Sequence, residues 1–233
     1  MTQVPYKTAL IIGAGSGISA SVARELAGQG VKVALAARNT DKLKALSNEI
    51  GASVFAADAA DRASVAALFD DAAKSIGEPE IVLYNASARA HGPLADLDPV
   101  AVERALAVSG YGGFLSVHHA ARRMVPRGNG AILLTGATAS VKGFAYSAAF
   151  AMGKFALRGL AQSAARELGP KGIHVAHFVI DGGVRSATRQ DADGRPDSTL
   201  SPDAIARTYI DVLRQDRSAW SLEVEVRPWL ETF

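Results

Sequence analysis

Short apolar runs alternate with amphipathic segments along the chain. Seven runs have the length of a strand, and most are followed by apolar residues spaced three and four apart, as on one face of a helix. The predicted strands cover residues 8–12, 31–37, 53–57, 81–84, 131–135, 174–180 and 220–226. Helices are predicted from residue 18, from 39 or 40 to 50, over 65–76, from 99 to about 123, over 147–168 and from 201.

This alternation predicts an α/β fold. Strands joined through helices lie parallel, and a parallel sheet needs helices on both faces. The sequence contains no repeat, low-complexity tract or linker that would divide it. We therefore expect residues 1–233 to form a single domain around a doubly wound parallel β-sheet of about seven strands.

The connection after the first predicted strand is suited to binding phosphate. It consists of Gly13, Ala14, Gly15, Ser16, Gly17 and Ile18. A phosphate group needs bare backbone amides at the start of a helix, and glycines leave room for it. Ser19 stands where a further glycine would be more usual. The pattern predicts a phosphate-binding turn, and the alternative is a strand–helix turn without a ligand.

Residues that suit a dinucleotide follow several other predicted strands. In an open α/β sheet, ligands bind beyond the carboxyl ends of the strands. The residues at those ends are Gly13, Arg38, Asp58, Asn85, Gly136 and the segment 181–183. We expect a dinucleotide at this edge of the sheet, with Asn39 and Ala86 in the same site.

The residue after the second strand favours NADP(H) over NAD(H). A site selective for NAD places a carboxylate there, whereas this chain has Arg38 and no acidic residue before Asp41. A guanidinium group can bind the 2′-phosphate through two N–H groups, and its charge is permanent. The alternative is a solvated surface charge. Asp58 is placed to accept a hydrogen bond from the adenine amino group, or else caps the helix before Ser64.

Composition excludes several other classes of function. The 233 residues include no cysteine and carry a formal net charge of +2, so disulfides, thiolate catalysis and cysteine-ligated metals are excluded. No basic run predicts nucleic-acid binding, no histidine cluster has the spacing of a metal site, and no apolar run is long enough for a membrane span. About six residues precede the first strand, too few for a signal peptide. We expect a cytoplasmic protein.

Taken together, these motifs resemble the short-chain dehydrogenase/reductase family over essentially the whole chain. The matching positions are Gly13-x-x-x-Gly17, Asp58, residues 85–87, Lys154 and Gly182-x-Val184-x-Ser186. The resemblance implies a Rossmann-like domain, an NAD(P) cofactor whose nicotinamide ribose is held by Lys154, and hydride transfer to or from a carbonyl or alcohol. It also implies a small-molecule substrate, and homodimers or homotetramers built on the two long helices.

A polar segment follows the sixth predicted strand. Residues 185–200 are rich in Asp, Arg, Gly and Ser, and lie where a loop can fold over a site. We expect this segment to cover the substrate. The alternative is a mobile surface loop.

Three of the four catalytic groups of that family are missing from their usual positions. Ser109 stands in the asparagine position, Ala137 in the serine position and Phe150 in the tyrosine position, and only Lys154 is retained. Phe150 has no proton to donate, and losing a positioned general acid typically lowers the rate about 10²- to 10⁴-fold. The sequence therefore predicts little carbonyl reduction by the family's usual mechanism.

Tyr146, Ser109 and Thr138 are the candidate replacement donors beside Lys154. Tyr146, Phe150 and Lys154 follow one another at intervals of four, which would place them on one helix face. A non-helical start would also let the Tyr146 hydroxyl approach the substrate, and the alternative is a packing or interface aromatic. Two functions stay open: an NADP(H)-dependent oxidoreductase with an atypical proton donor, acting on a carbonyl or activated C=C bond, or an NADP(H)-binding scaffold or sensor without turnover.

Overall fold

Seven parallel strands form one sheet in the computed structural model, which describes residues 3–231. The strands are β1 (Thr8–Ile12), β2 (Lys32–Ala37), β3 (Ser53–Ala56), β4 (Ile81–Tyr84), β5 (Gly130–Thr135), β6 (Ile173–Ile180) and β7 (Glu223–Val226). Their order in the sheet is β3-β2-β1-β4-β5-β6-β7. Because β1 lies between β2 and β4, the chain reverses its winding direction there, and a crevice for ligands opens at the carboxyl ends.

Helices cover both faces of this sheet, so the predicted doubly wound α/β fold is confirmed. They are α1 (Ile18–Gly28), α2 (Lys44–Ile50), α3 (Arg62–Ile76), α4 (Pro99–Leu106), α5 (Gly112–Met124), α6 (Ala148–Leu168) and α7 (Pro202–Leu213). Strand β1 shows why the apolar runs are continuous: Ile11 packs in the core under α1 and α7, whereas Leu10 packs in the core under α3, α5 and α6. None of the described helices has the length and apolar composition needed to span a membrane.

The predicted long helix from residue 99 is interrupted. A π-helical turn, Ala107–Tyr111, separates α4 from α5. The buried Tyr84 hydroxyl donates a hydrogen bond to the Val108 carbonyl in this turn. A Cβ on Gly112 would lie 2.4 Å from the Tyr84 hydroxyl oxygen and 2.5 Å from the Ala59 carbonyl oxygen. Packing of the helix over β4 thus decides the interruption, and helical periodicity alone does not reveal it.

Tyr146 lies outside α6, so of the two arrangements left open for it the structure has the non-helical start and not the helix face shared with Phe150 and Lys154. The helix begins at Ala148, and Tyr146 has a left-handed backbone with φ of 63°. Its carbonyl accepts a hydrogen bond of 3.1 Å from the Gly92 amide. This contact ties the segment before α6 to the loop after β4.

The last strand is shorter than predicted. It begins at Glu223 rather than at Trp220. The Trp220 ring stacks on His174 with centroids 4.6 Å apart, and His174 Nε2 lies 2.9 Å from the Ser221 carbonyl oxygen. These contacts engage the Trp220 side chain and the Ser221 carbonyl before the ladder with β6 begins.

Candidate active site

A cavity of about 470 Å³ opens at the carboxyl ends of β1 to β4. Most of the predicted cofactor-binding residues of this region line it together with Lys42. The lining includes Gly13, Arg38, Asn39, Lys42, Asp58, Asn85, Ala86 and Ser87. The fold therefore brings together residues from four separate strand ends, as expected for a parallel sheet with this strand order.

The glycine turn combines one sterically required glycine with two that leave open space. Gly13 has φ of 81°, and a Cβ there would lie 2.3 Å from the Ala86 amide nitrogen. A Cβ on Gly15 or on Gly17 would meet no atom within 4 Å. Gly17 also precedes α1, whose first turn has no side-chain cap. With Ser16 exposed and Ile18 opening the helix, the turn offers free backbone amides that fit a diphosphate.

Ser19, which replaces a more usual glycine, fastens the turn to the segment after β4. Its hydroxyl accepts a hydrogen bond of 2.8 Å from Asn85 Nδ2 and lies 3.4 Å from the Gly13 carbonyl oxygen, to which it donates. This hydrogen bond fixes the side-chain amide of Asn85, which lines the cavity. Through these two hydrogen bonds, Ser19 joins the glycine turn to the segment after β4.

Two cations, Arg38 and Lys42, line the far end of the cavity. Both side chains are exposed, and within residues 3–231 neither forms an ion pair. Between them, Asn39 Oδ1 accepts a hydrogen bond of 2.9 Å from the Asp41 amide, which starts a short helical turn. Lys42 was missed in the sequence. The available signal was a second basic residue four positions after Arg38, in the short helical turn Asp41–Leu43.

Asp58 is held as a charged acceptor at the end of β3. Its Oδ1 accepts from the Ala60 amide at 3.0 Å, and its Oδ2 accepts from the Arg104 guanidinium at 2.5 Å. Burial raises the pKa of this carboxyl, but the two hydrogen bonds together with the charges of Arg104 and Arg38 outweigh that effect and lower the pKa overall. The cap of α3 is Asp61, whose carboxylate accepts from the Ser64 amide.

Lys154 is a buried cation on α6. Its side chain is 3% exposed, and Nζ donates a hydrogen bond of 2.7 Å to the Thr135 carbonyl at the end of β5. Burial, and then the positive charge of Arg89, lower the pKa of Lys154 to about 8. The lysine is therefore easier to deprotonate than a surface lysine.

Arg89, which sequence reasoning missed, lies over the ring that replaces the tyrosine. Its guanidinium carbon is 4.1 Å from the centroid of the Phe150 ring, and Lys154 Nζ is 5.8 Å from the same centroid. The only sequence signal is a basic residue four positions after Asn85, in the loop that follows β4. Two positive charges thus lie within 6 Å of the Phe150 ring centroid.

The three candidate donors have different surroundings. Ser109 is buried in the π-helical turn, and its hydroxyl accepts from the Ala88 amide at 3.1 Å and donates to the Ala88 carbonyl at 3.3 Å. Thr138 is partly buried in a short helical turn after β5. Tyr146 is 58% exposed, and its ring lies edge-on to His91 with centroids 6.2 Å apart.

The segment 185–200 is folded around an internal ion pair. The Arg185 guanidinium binds an oxygen of Asp191 at 2.7 Å, and Asp191 also accepts from the Thr199 hydroxyl at 2.6 Å. The Thr199 hydroxyl and amide, with further donors, lower the pKa of Asp191 to about 2. The segment therefore carries its own polar framework.

The predicted Gly182, Val184 and Ser186 lie where β6 leads into this segment. Gly182 has φ of 140°, and a Cβ there would lie 2.8 Å from Pro228 Cδ. Val184 forms an isolated parallel bridge with Leu200, and the Ser186 hydroxyl accepts from the Arg189 amide at 3.1 Å. Contacts with Pro228 and with residues of the segment 185–200 thus fix the path of the chain beyond β6.

Comparisons with known proteins agree with this geometry. The family model described as short chain dehydrogenase matches residues 7–196. Momilactone A synthase of Oryza sativa subsp. japonica is 33% identical over 201 residues, which cover 83% of this chain and 72% of that protein.

Two solved structures are similar over nearly the whole chain. A short-chain dehydrogenase from Rhodopseudomonas palustris has a TM-score of 0.82 and 35% identity, covering 96% of this chain and 99% of its own. A metagenomic short-chain oxidoreductase in complex with NADP has a TM-score of 0.83 and 28% identity, covering 96% and 98%.

Proposed function

The chain belongs to the short-chain dehydrogenase family of NAD(P)-dependent oxidoreductases, and we propose that it uses NADP(H) and an atypical proton donor. Its substrate is a small molecule with a carbonyl or an activated C=C bond. The observation that carries the proposal is the cavity lined both by Gly13 of the glycine turn and by two cations, Arg38 and Lys42, that form no ion pair among the described residues. The NADP named in the metagenomic relative's structure supports the choice of cofactor.

Residues of the cavity and of the segments outside its lining match the parts of the cofactor. The amides of Gly15 to Ile18 would hold the diphosphate, and Arg38 with Lys42 the 2′-phosphate. Asp58 would accept from the adenine amino group, with Asn39, Asn85 and Ala86 lining the nucleoside. Lys154 would bind the nicotinamide ribose. Gly182, Val184 and Ser186 would border the nicotinamide.

Reduction needs a hydride, which NADPH supplies when bound, and a group that stabilises charge on the substrate. Phe150 provides no proton, so the charge must be met by neighbouring groups. Tyr146, on the turn before α6, and Thr138, after β5, are our proposed donors. Ser109 fixes the loop after β4 through its two hydrogen bonds to Ala88 and contributes position rather than a free hydroxyl.

Arg38 provides the direct test of cofactor choice. Arg38→Ala should weaken NADPH binding about 10- to 100-fold, because hydrogen bonds between charged groups contribute about 1.5–3 kcal/mol. NADH binding should be unchanged, since NADH lacks the 2′-phosphate. Both affinities are measured by fluorescence titration, with Arg62→Ala as control. Equal affinity of the wild type for NADPH and NADH would contradict the proposal.

A scaffold or sensor that binds NADP(H) without turnover is the second candidate function. The observation that favours it is the replacement of the catalytic tyrosine, serine and asparagine by Phe150, Ala137 and Ser109. Single-turnover oxidation of NADPH with ketones, enones and enoyl thioesters separates the two. Oxidation above the buffer rate supports the enzyme, and Tyr146→Phe and Thr138→Val then identify the donor. Tight binding without oxidation supports the scaffold.

We also propose that the protein self-associates through α5 and α6. Phe114 on α5 and Phe155 on α6 are each more than two-fifths exposed. A groove of about 510 Å³ between these helices is lined by Phe114, Val117, Ala121, Leu160 and Leu168, among others. Apolar area of this kind on long helices favours a homodimer or homotetramer.

A further inference from the structure

Two positive charges lie near the Phe150 ring, an exposed one on Arg89 and a buried one on Lys154, and neither forms an ion pair within residues 3–231. Arg89 and Lys154 both lie within 6 Å of the ring centroid, at 4.1 and 5.8 Å. Within the described part of the chain, the Arg89 guanidinium has no hydrogen bond or ion pair, and Lys154 Nζ bonds the Thr135 carbonyl. The two charges repel each other, as the lowered pKa of Lys154 reflects after the larger effect of its burial. An anion bound by Arg89 would offset that repulsion.

The guanidinium is oriented before any ligand arrives. Contact with the face of Phe150 holds the cation by cation–π attraction and leaves its N–H donors available. The loop that carries Arg89 is fixed on both sides, because Ser109 binds the backbone of Ala88 and the Gly92 amide binds the Tyr146 carbonyl. A pre-oriented guanidinium loses little entropy on binding.

We propose that Arg89 binds a carboxylate of the substrate, next to the carbonyl or C=C group that is reduced. A guanidinium group recognises a carboxylate through two parallel N–H···O bonds, and contact with Phe150 leaves the N–H donors of Arg89 free to form them. The substrate class is therefore a small oxo acid or unsaturated acid. The inference rests on the proposed oxidoreductase function and narrows its substrate.

The test uses benzoylformate and its methyl ester, which share a reactive ketone and differ in charge. Binding of each to the full chain is measured by calorimetry with and without NADPH, and turnover by NADPH absorbance. The proteins are the wild type, Arg89→Met, Arg89→Lys and the control Arg207→Met on the exposed side of α7. Methionine keeps contact with Phe150 without charge, and lysine keeps the charge without the planar group.

We expect Arg89→Met to weaken benzoylformate binding about 10- to 100-fold and to leave the ester and NADPH unaffected. Arg89→Lys should retain part of the affinity for the acid, and Arg207→Met all of it. In kinetics, the loss should appear in KM for the acid rather than in kcat.

Four results would overturn the inference. Equal binding of the acid by wild type and Arg89→Met shows that Arg89 holds no carboxylate. An equal loss of kcat for acid and ester assigns Arg89 to charge developing on the reacting oxygen instead. Weaker NADPH binding by Arg89→Met assigns it to the cofactor. A wild type that prefers the ester excludes an acid site.

Failure of the proposed function is recognised separately. If the wild type binds no NADPH, the oxidoreductase proposal fails. The calorimetry without cofactor then still decides whether Arg89 binds the acid.

Discussion

At the scale of single residues, steric contacts and charge decide what the candidate site can hold. Gly13 and Gly15 lie two positions apart in the same turn, yet only Gly13 has its backbone against another segment. Lys154 and Arg89 have like charges around one aromatic ring. The two glycines lead to a prediction about stability and cofactor binding, and Lys154 leads to one about the pH dependence of stability.

Gly13→Ala should destabilise the fold, and Gly15→Ala should not. A Cβ on residue 13 would lie 2.3 Å from the Ala86 amide nitrogen in a left-handed backbone, and such strain costs about 1–3 kcal/mol. A Cβ on residue 15 would meet no atom of the described residues within 4 Å, so Gly15→Ala should keep the free energy of unfolding and weaken NADPH binding. Urea unfolding and cofactor titration measure the two effects. Equal stability of the two variants would contradict this account.

The pKa of Lys154 predicts a pH-dependent contribution to stability. Its pKa is about 8 in the folded state, whereas the ordinary value is 10.5. Between these values the unfolded chain binds more protons than the folded chain, so this residue's contribution to stability rises with pH from about 8 to 10.5 and is lost as pH falls through 8.

Lys154→Met removes this dependence. Burial and Arg89 lower the pKa of Lys154, and His177 also lies within its electrostatic reach. The stability of the wild type relative to Lys154→Met should therefore increase from pH 7 to pH 10 in urea unfolding. A difference that stays constant with pH would show that the lysine keeps its ordinary pKa.

At the scale of elements, the π-helical turn between α4 and α5 shapes the site. It places Ser109 against the Ala88 backbone and opens the Val108 carbonyl to the Tyr84 hydroxyl. The Tyr84 side chain on β4 therefore binds the π-helical turn, and Ser109 of that turn binds the loop that carries Arg89.

Tyr84→Phe should lower the free energy of unfolding by about 1–3 kcal/mol, because it leaves the buried Val108 carbonyl without a donor. Chemical denaturation measures the change. Tyr6→Phe is a matched control, since Tyr6 is also buried but its hydroxyl has no hydrogen bond to a described residue. Equal losses of unfolding free energy in Tyr84→Phe and Tyr6→Phe would show that the hydrogen bond to the Val108 carbonyl makes no particular contribution to stability.

At the scale of the whole molecule, the sheet separates two kinds of surface. The carboxyl ends of the strands hold the polar cavity, and the exposed sides of α5 and α6 hold the apolar groove. Binding of small molecules and self-association can therefore be altered independently.

Phe114→Glu should weaken self-association at least about tenfold, because it buries an unpaired charge in the interface. Sedimentation velocity over a range of concentrations measures this. Leu94→Glu, at a highly exposed position in the loop after β4, is the control and should leave association unchanged. A wild type that sediments as a monomer throughout would contradict the proposed interface.

The sequence by itself determined the α/β fold and much of the cavity. Strands buried on both faces need continuous apolar runs, and parallel strands place all their carboxyl ends at one edge. For that reason Gly13, Arg38, Asp58 and Asn85 were found together without any knowledge of packing.

Only the tertiary structure decided the contacts between segments far apart in the chain. Arg89 meets Phe150, Tyr84 meets Val108, and the Gly92 amide binds the Tyr146 carbonyl. Periodicity describes a residue's environment within its own element, whereas these contacts depend on how elements pack against each other. They determine which charges and hydroxyls surround Lys154, and hence the chemistry of the candidate site.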